Sequence, residues 1–429
     1  MDEATEGSPA WSPLKRVAFR LVFVYAVLYL LPFPIGSLPG TDWLRVAYTR
    51  PWRALVPWVG KNVLGLSRDI TVFPAGSSDT TFNYVQLLCF LVLAVVVTTG
   101  WTLWDRRRSE YHRLHQGLRA YVRLALGSTL ITYGAFKVVK SQFAFPFLHE
   151  LLQPLGESSP MGLLWKFMGY SLPYNVFVGA GEMAGGVLLF SRRTTTLGAL
   201  VSAATLSHVV ALNLSYDVPV KIFSLHLLGL AALLLWPDAR RLADFFLANR
   251  PTAPAPLPTL FVRRAWNQSA LVLRWALFGS VLGFALFQSW NQARAYGDLS
   301  PHAPLRGLYE VEQLLQNGAL RPPLLTDTSR WRHLAIDRPW FLAAVLMDGS
   351  VRYYDWSLDP VHRTMALKSR GPEPQESVLR YTETAAGGLV LEGELEGDRV
   401  RVTLQRMDPS RQVLLTRGFH WVSEYPFNR

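Results

Sequence analysis

The chain has 429 residues, half of them hydrophobic, with 15 tryptophans and a mean hydropathy of +0.16, which makes a polytopic membrane protein the natural reading. Its net charge of +12 invites a nucleic-acid reading, but residues 291–429 hold 17 Lys/Arg against 17 Asp/Glu, so the whole excess lies among the apolar segments, where the positive-inside effect puts it, and no nucleic-acid motif is present. The single cysteine, Cys89, excludes an internal disulfide, a CxxC redox pair and a Cys-rich metal site.

Residues 1–16 read as a cytoplasmic leader ending in Lys15-Arg16. The first apolar run, about 17–36, is followed by no Ala-x-Ala-like site and is expected to stay as an uncleaved anchor. In the loop 37–81, Trp52, Leu55, Val56, Val59, Val63 and Leu64 recur at near-helical spacing. This predicts a short amphipathic helix over 51–66 at the headgroup level, with Trp52 and Trp58 as interfacial anchors. A second apolar helix, 82–104, stops at Asp105-Arg106-Arg107-Arg108. A third covers 119–142, and the proline-punctuated stretch 143–172 reads as a loop with short interfacial helices. Helices over 173–190, 195–214 and 217–236 follow closely, and Pro219 marks the start of the last. Residues 237–265 begin basic and amphipathic and become a Pro-rich, semi-rigid linker before a seventh helix over 267–290.

With the N-terminus cytoplasmic, the inside loops 1–16, 105–118, 191–194 and 237–266 hold 13 Lys/Arg, and the outside loops 37–81, 143–172 and 215–216 hold 6. That asymmetry predicts seven spans with residues 291–429 periplasmic or extracellular. The expected organisation is the leader, two N-terminal helices with an outer loop (17–118), a four-helix core (119–236), a linker with the last helix (237–290) and a soluble β-rich domain (291–429). In that domain Phe341–Met347, Val351–Trp356, Val378–Thr384, Gly388–Leu395, Val400–Gln405 and Gln412–Thr416 read as strands, with turns at Asp348-Gly349, Gly387-Gly388 and Gly397-Asp398. Leu308–Gln316 reads as a short helix, and the aromatic C-terminal end, with Trp421 and Tyr425, as packed. A sandwich or small barrel fits this pattern.

The candidate site residues lie on the core helices. Glu182 sits within Gly179-Ala180-Gly181-Glu182-Met183-Ala184-Gly185-Gly186, His208 and Asn213 on the next helix, and His226 on the one after. An ionisable group on a membrane helix is costly unless paired or wetted, so each is a site candidate by default. At about 1.5 Å per residue, Glu182 and His226 lie roughly 13 Å and His208 roughly 9 Å from the outer helix ends, which would let them meet in one bundle. Tyr133 and Lys137 share a helix face, and Asp217 and Lys221 stand one turn apart, so these four, with Asn213, are expected to shape an outer entrance. The competing bland readings are a structural Glu182–Lys137 pair, interhelical hydrogen bonds for the histidines, and a Gly181-x-x-x-Gly185 packing seam. Two histidines and one carboxylate could bind a metal, but the only histidines at i,i+3, His112 and His115, lie in an inside loop far from Glu182, and His208 and His226 match a haem pair only loosely.

The run Gly179-x-Gly181-Glu182-x-x-x-Gly186-x-Leu188-Leu189, a short basic turn and Gly198-Ala199-Leu200 resemble the DoxX-like family of small four-helix membrane proteins over about 119–236. The stretch from His208 to Lys221 and the ending Gly418-Phe419-His420-Trp421 through Arg429 resemble a longer bacterial branch with a soluble C-terminal domain. The resemblance implies a bacterial inner-membrane protein and redox-associated work, with Glu182 and its glycines the only residues carried over. The expectation is therefore a subunit that binds a quinone or another lipid-soluble molecule, served by a redox protein partner. Glu182 with His208 or His226 would handle protons. The alternatives are a non-enzymatic scaffold whose outer domain binds a partner, and a small-solute transporter.

Overall fold

The computed structural model describes residues 10–35, 40–70, 72, 76–254, 261–371 and 373–428. The chain forms two units, Met1–Phe143 with Ser171–Gln292, and Ala144–Tyr170 with Ala293–Arg429. Helices of the first are α1 (Pro13–Leu30), α2 (Asp42–Asn62), α3 (Thr81–Trp104) and α4 (His112–Val138), while α5 (Pro160–Tyr170) belongs to the second unit. The first unit resumes with α6 (Leu172–Leu189), α7 (Thr195–Ser215), α8 (Lys221–Leu235), α9 (Ala239–Phe246) and α10 (Arg264–Ala295), the last running on into the second unit. Starts are set by local chemistry. Ser12 and Ser171 accept the third amide of α1 and α6, and Thr80 forms a capping box with Asn83 at α3.

Four helices among the described residues are long and apolar enough to cross a membrane: Thr81–Trp104, Thr195–Ser215, Lys221–Phe246 and Arg264–Ala295. The expectation was seven. The others fall short for a physical reason: α1 carries Arg20, α4 carries Arg123 and Lys137, and α6 is diluted by Asn175, Glu182 and four glycines. These charged groups are buried in protein. Arg20, for example, donates to the Tyr111 hydroxyl (3.0 Å), Thr102 Oγ1 (2.8 Å) and the Asp105 carbonyl (2.9 Å), tying α1 to the α3–α4 connection. Trp52, expected as an interfacial anchor, is buried edge-on against Phe90, and α2 runs through Pro51 and Pro57.

Helices α4 and α6 pack antiparallel through paired glycines. Gly134 faces Gly179 and Gly127 faces Gly186, so closely that a methyl group at Gly134 would lie 2.6 Å from the Gly179 carbonyl oxygen. The expected seam residues Gly181 and Gly185 instead face Thr205 and Ser202 of α7. Glycine thus clears two sides of α6, which lets polar groups on its neighbours approach its backbone.

The second unit is a closed antiparallel barrel. Its strands are β1 (Gly307–Gln316), β2 (Ala319–Leu320), β3 (Trp331–Arg338), β4 (Phe341–Leu346), β5 (Val351–Asp359), β6 (Thr364–Ser369), β7 (Glu376–Glu383), β8 (Leu389–Leu395) and β9 (Asp398–Arg406). Neighbours pair in the order β2-β1-β3-β4-β5-β6-β7-β8-β9, and β1 also pairs with β9, closing eight strands with β2 as a short extension. Trp331, Leu334, Ile336, Leu342, Met365, Leu391 and Val402 fill the interior, as eight strands leave room for side chains and little else. The segment from residue 144 to 170 belongs to this barrel, not to the helical core. Phe147, Leu148 and Leu152 cover an apolar patch on its outside formed by Leu308, Ala335, Phe341 and Ala343.

Several expectations are corrected in this unit. Leu308–Gln316 is strand β1, not a helix. A register shift between Val311 and Gln313 breaks its alternation and leaves buried Val311 and Leu314 three apart, a helical spacing. Gln412–Thr416 is not a strand but ends in the helical turn α11 (Val413–Thr416). The aromatic ending is not packed: Trp421 is 91% exposed, since a closed barrel has no edge or interior left to receive it.

Candidate functional site

Two buried, opposite charges of the helical unit are brought together by the α4–α6 glycine crossing. Lys137 Nζ on α4 donates to Glu182 Oε2 on α6 over 2.9 Å. Glu182 is 2% and Lys137 6% exposed. Gly179 permits this approach, since a methyl there would lie 2.8 Å from Lys137 Cβ. Burying either charge alone would cost several kcal/mol, so the pair is strongly constrained to stay together.

Tyr133 extends this pair across the bundle. One turn below Lys137 on α4, its ring centroid lies 5.8 Å from Lys137 Nζ and 5.7 Å from the Phe223 ring of α8. Phe223 stands three residues before His226, on the same stretch of α8. Tyr29 in turn stacks on His226 at 4.1 Å between ring centroids, nearly parallel. His226 Nδ1 is 2.7 Å from the Ile222 carbonyl and Nε2 is 2.7 Å from the Tyr25 hydroxyl. A carbonyl can only accept, so Nδ1 carries the proton, and in the neutral ring Nε2 accepts from Tyr25. The result is a row from Glu182 through Lys137, Tyr133 and Phe223 to His226, Tyr29 and Tyr25, drawn from α6, α4, α8 and α1.

The remaining predicted residues stand elsewhere. His208 is on the exposed face of α7, away from this row. Asn213 is buried and donates to Ser224 Oγ at 3.0 Å, joining α7 to α8. Asp217 accepts from Lys221 Nζ at 2.7 Å on the surface of the α7–α8 turn. Asp79 completes that turn: it accepts the Lys221 and Ile222 amides at 2.7 and 2.9 Å, so it caps the start of α8. Sequence reading missed Asp79, Tyr25 and Tyr29. The tyrosines lie four apart on the first apolar run, a repeated polar-tipped aromatic on one helical face that was there to be read. Asp79 carries no such signal, because its partner is remote in sequence. Among the described residues, no three His, Cys, Asp or Glu side chains stand close enough to hold a metal ion.

The chain is 32% identical over 135 residues to the uncharacterized protein YwoB of Bacillus subtilis (strain 168), a match that spans 31% of this chain and 84% of YwoB. No family model matches the chain. No solved structure matches it.

Proposed function

The chain belongs to the family of the Bacillus subtilis protein YwoB, and we propose that it is a DoxX-like inner-membrane protein, a redox-associated subunit that binds a quinone or a similar lipid-soluble small molecule. In this reading α1, α4 and α6 also cross the membrane, screened from lipid by α3, α7, α8 and α10. The N-terminus is cytoplasmic and the barrel periplasmic. The observation that carries the reading is the buried Lys137–Glu182 pair continued by Tyr133 toward His226. A charge pair held inside a bundle marks a binding or proton-handling site by default.

Tyr133 is 42% exposed, so the row reaches the surface of the helical unit through an aromatic ring beside a buried ammonium. A flat lipophilic ring could stack there with its polar substituent near Lys137. Quinone reduction needs two electrons, supplied by a redox protein partner, and two protons. Glu182 is the group placed to pass a proton, with Lys137 as its ion-pair partner. His226 lies at the far end of the row, and His208 has no part in it. The test is mass spectrometry of lipids and cofactors that co-purify with the protein. A quinone retained by the native chain and lost in a folded Glu182→Gln variant supports the reading, and equal quinone content in both sinks it.

One observation favours a second reading, a scaffold. The ending Phe419, Trp421 and Tyr425 is exposed on the barrel unit, as a partner-binding segment would be. If deletion of 413–429 removes a cellular phenotype that Glu182→Gln leaves intact, the scaffold reading wins.

A further inference from the structure

A second polar site of the helical unit lies apart from the Glu182 row. A cavity of about 720 Å³ is lined by Arg123 of α4, Arg192 and Arg193 of the α6–α7 turn, and Arg274 of α10, with Leu124 and Leu277 among its apolar walls. None of its described lining residues is an aspartate or glutamate. Arg123 is only 6% exposed; its Nη1 donates to Thr195 Oγ1 at 3.2 Å, but its buried Nε makes no hydrogen bond. The buried Nε of Arg274 makes none either.

This arrangement is unfavourable by itself. A guanidinium withdrawn from water needs a counter-charge, and the described lining offers Arg123 and Arg274 no carboxylate. A negative group in the cavity would relieve both the desolvation and the mutual repulsion. Arginine forks suit the oxygens of a phosphate. The apolar wall between α4 and α10 suits an acyl chain. Arg192 and Arg193 belong to a segment assigned to the cytoplasmic side, where basic pockets between membrane helices hold anionic headgroups. We infer that this cavity is a phosphate-binding site, filled by the headgroup of an anionic phospholipid whose chain lies against α4 and α10. The inference needs the membrane location proposed above but not the quinone reading, and it uses none of the residues of the Glu182 row.

The test uses the full-length protein in nanodiscs of phosphatidylcholine alone or with phosphatidylglycerol, and measures phosphatidylglycerol retained after detergent extraction together with the melting temperature. The native chain should retain phosphatidylglycerol and melt higher in its presence. Arg123→Gln/Arg274→Gln should lower retention by about tenfold, as expected for losing charge-assisted hydrogen bonds. Arg192→Gln/Arg193→Gln, on the turn, leaves the helix interiors untouched and should also lower retention, which guards against a folding defect in the first variant. Arg106→Gln/Arg107→Gln removes the same charge outside the cavity and should change nothing. Inorganic phosphate added to the phosphatidylcholine sample separates the sources. No shift with phosphate supports a lipid headgroup. A full shift with phosphate alone overturns the lipid assignment in favour of a soluble phosphate ester. Equal retention by the native chain and both cavity variants overturns the site, whatever the effect on melting.

Discussion

Lys137 and Glu182 form a 2.9 Å ion pair that bridges the glycine crossing of α4 and α6, and neither side chain reaches the surface to any extent. Removing one partner leaves the other charged and buried. Lys137→Met or Glu182→Leu alone is therefore expected to destabilise the helical unit by about 3–5 kcal/mol. The double variant should recover most of that loss, because a buried pair replaced by apolar groups is nearly neutral in stability. Thermal unfolding in one detergent for all four proteins closes the cycle. Losses that simply add would mean the two residues do not act as a pair.

The glycine crossing makes a sharper steric prediction. Gly134→Ala pushes a methyl to 2.6 Å from the Gly179 carbonyl oxygen, a backbone atom that cannot rotate away. It should cost about 1–3 kcal/mol through forced separation of α4 and α6. Gly229 on α8 has open space at the same position, so Gly229→Ala should be neutral or stabilising by up to about 1 kcal/mol from helix propensity. Equal behaviour of the two variants would refute the close crossing.

Sequence periodicity made the helices and the β-rich end legible, because both depend on local pattern. Helix α3 departs from its predicted 82–104 by one residue, and the strands at 341, 351 and 389 start within a residue of expectation. What stayed hidden depends on partners remote in the chain. Strand β3 was missed because both its faces are covered, one by the barrel interior and one by the segment near Phe147, which erases alternation. Strand β1 was misread because its bulge imitates a helical spacing. In the site, the depth of Glu182 on its helix was readable, but the direction in which His208 and His226 point was not. Depth follows from rise per residue, whereas facing is set by which helices pack, and α1, not α6, packs beside His226.

Asp79 offers a test of one such remote contact. It accepts the first two amides of α8, including that of Lys221, and reaches them across 142 residues of sequence. Asp79→Ala should cost about 1–2 kcal/mol, the usual value of a lost N-cap, and should raise hydrogen exchange in the first turn of α8. Asp217→Ala removes only the exposed pair with Lys221 and should leave exchange in that turn close to the native rate. Faster exchange in Asp217→Ala than in Asp79→Ala would reverse this assignment.

The barrel unit carries its own titration. His149 is buried between Phe147, Phe341 and Tyr353, with Nε2 3.1 Å from the Tyr353 hydroxyl and no hydrogen bond at Nδ1. Burial pushes its pKa down to about 4 from an ordinary 6.5; Asp337 partly opposes this and Lys166 adds to it. The folded barrel therefore holds His149 neutral, while the unfolded chain takes up a proton first as the pH falls. The stabilisation is complete above the unfolded value and is lost progressively from about pH 6.5 down to about pH 4, for a total of roughly 3 kcal/mol. His149→Phe keeps the ring packing and removes the titration. Hydrogen exchange of β3–β5 in the full-length protein should thus accelerate on acidification in the native chain and markedly less in His149→Phe. The same acceleration in both proteins would place the acid sensitivity outside His149.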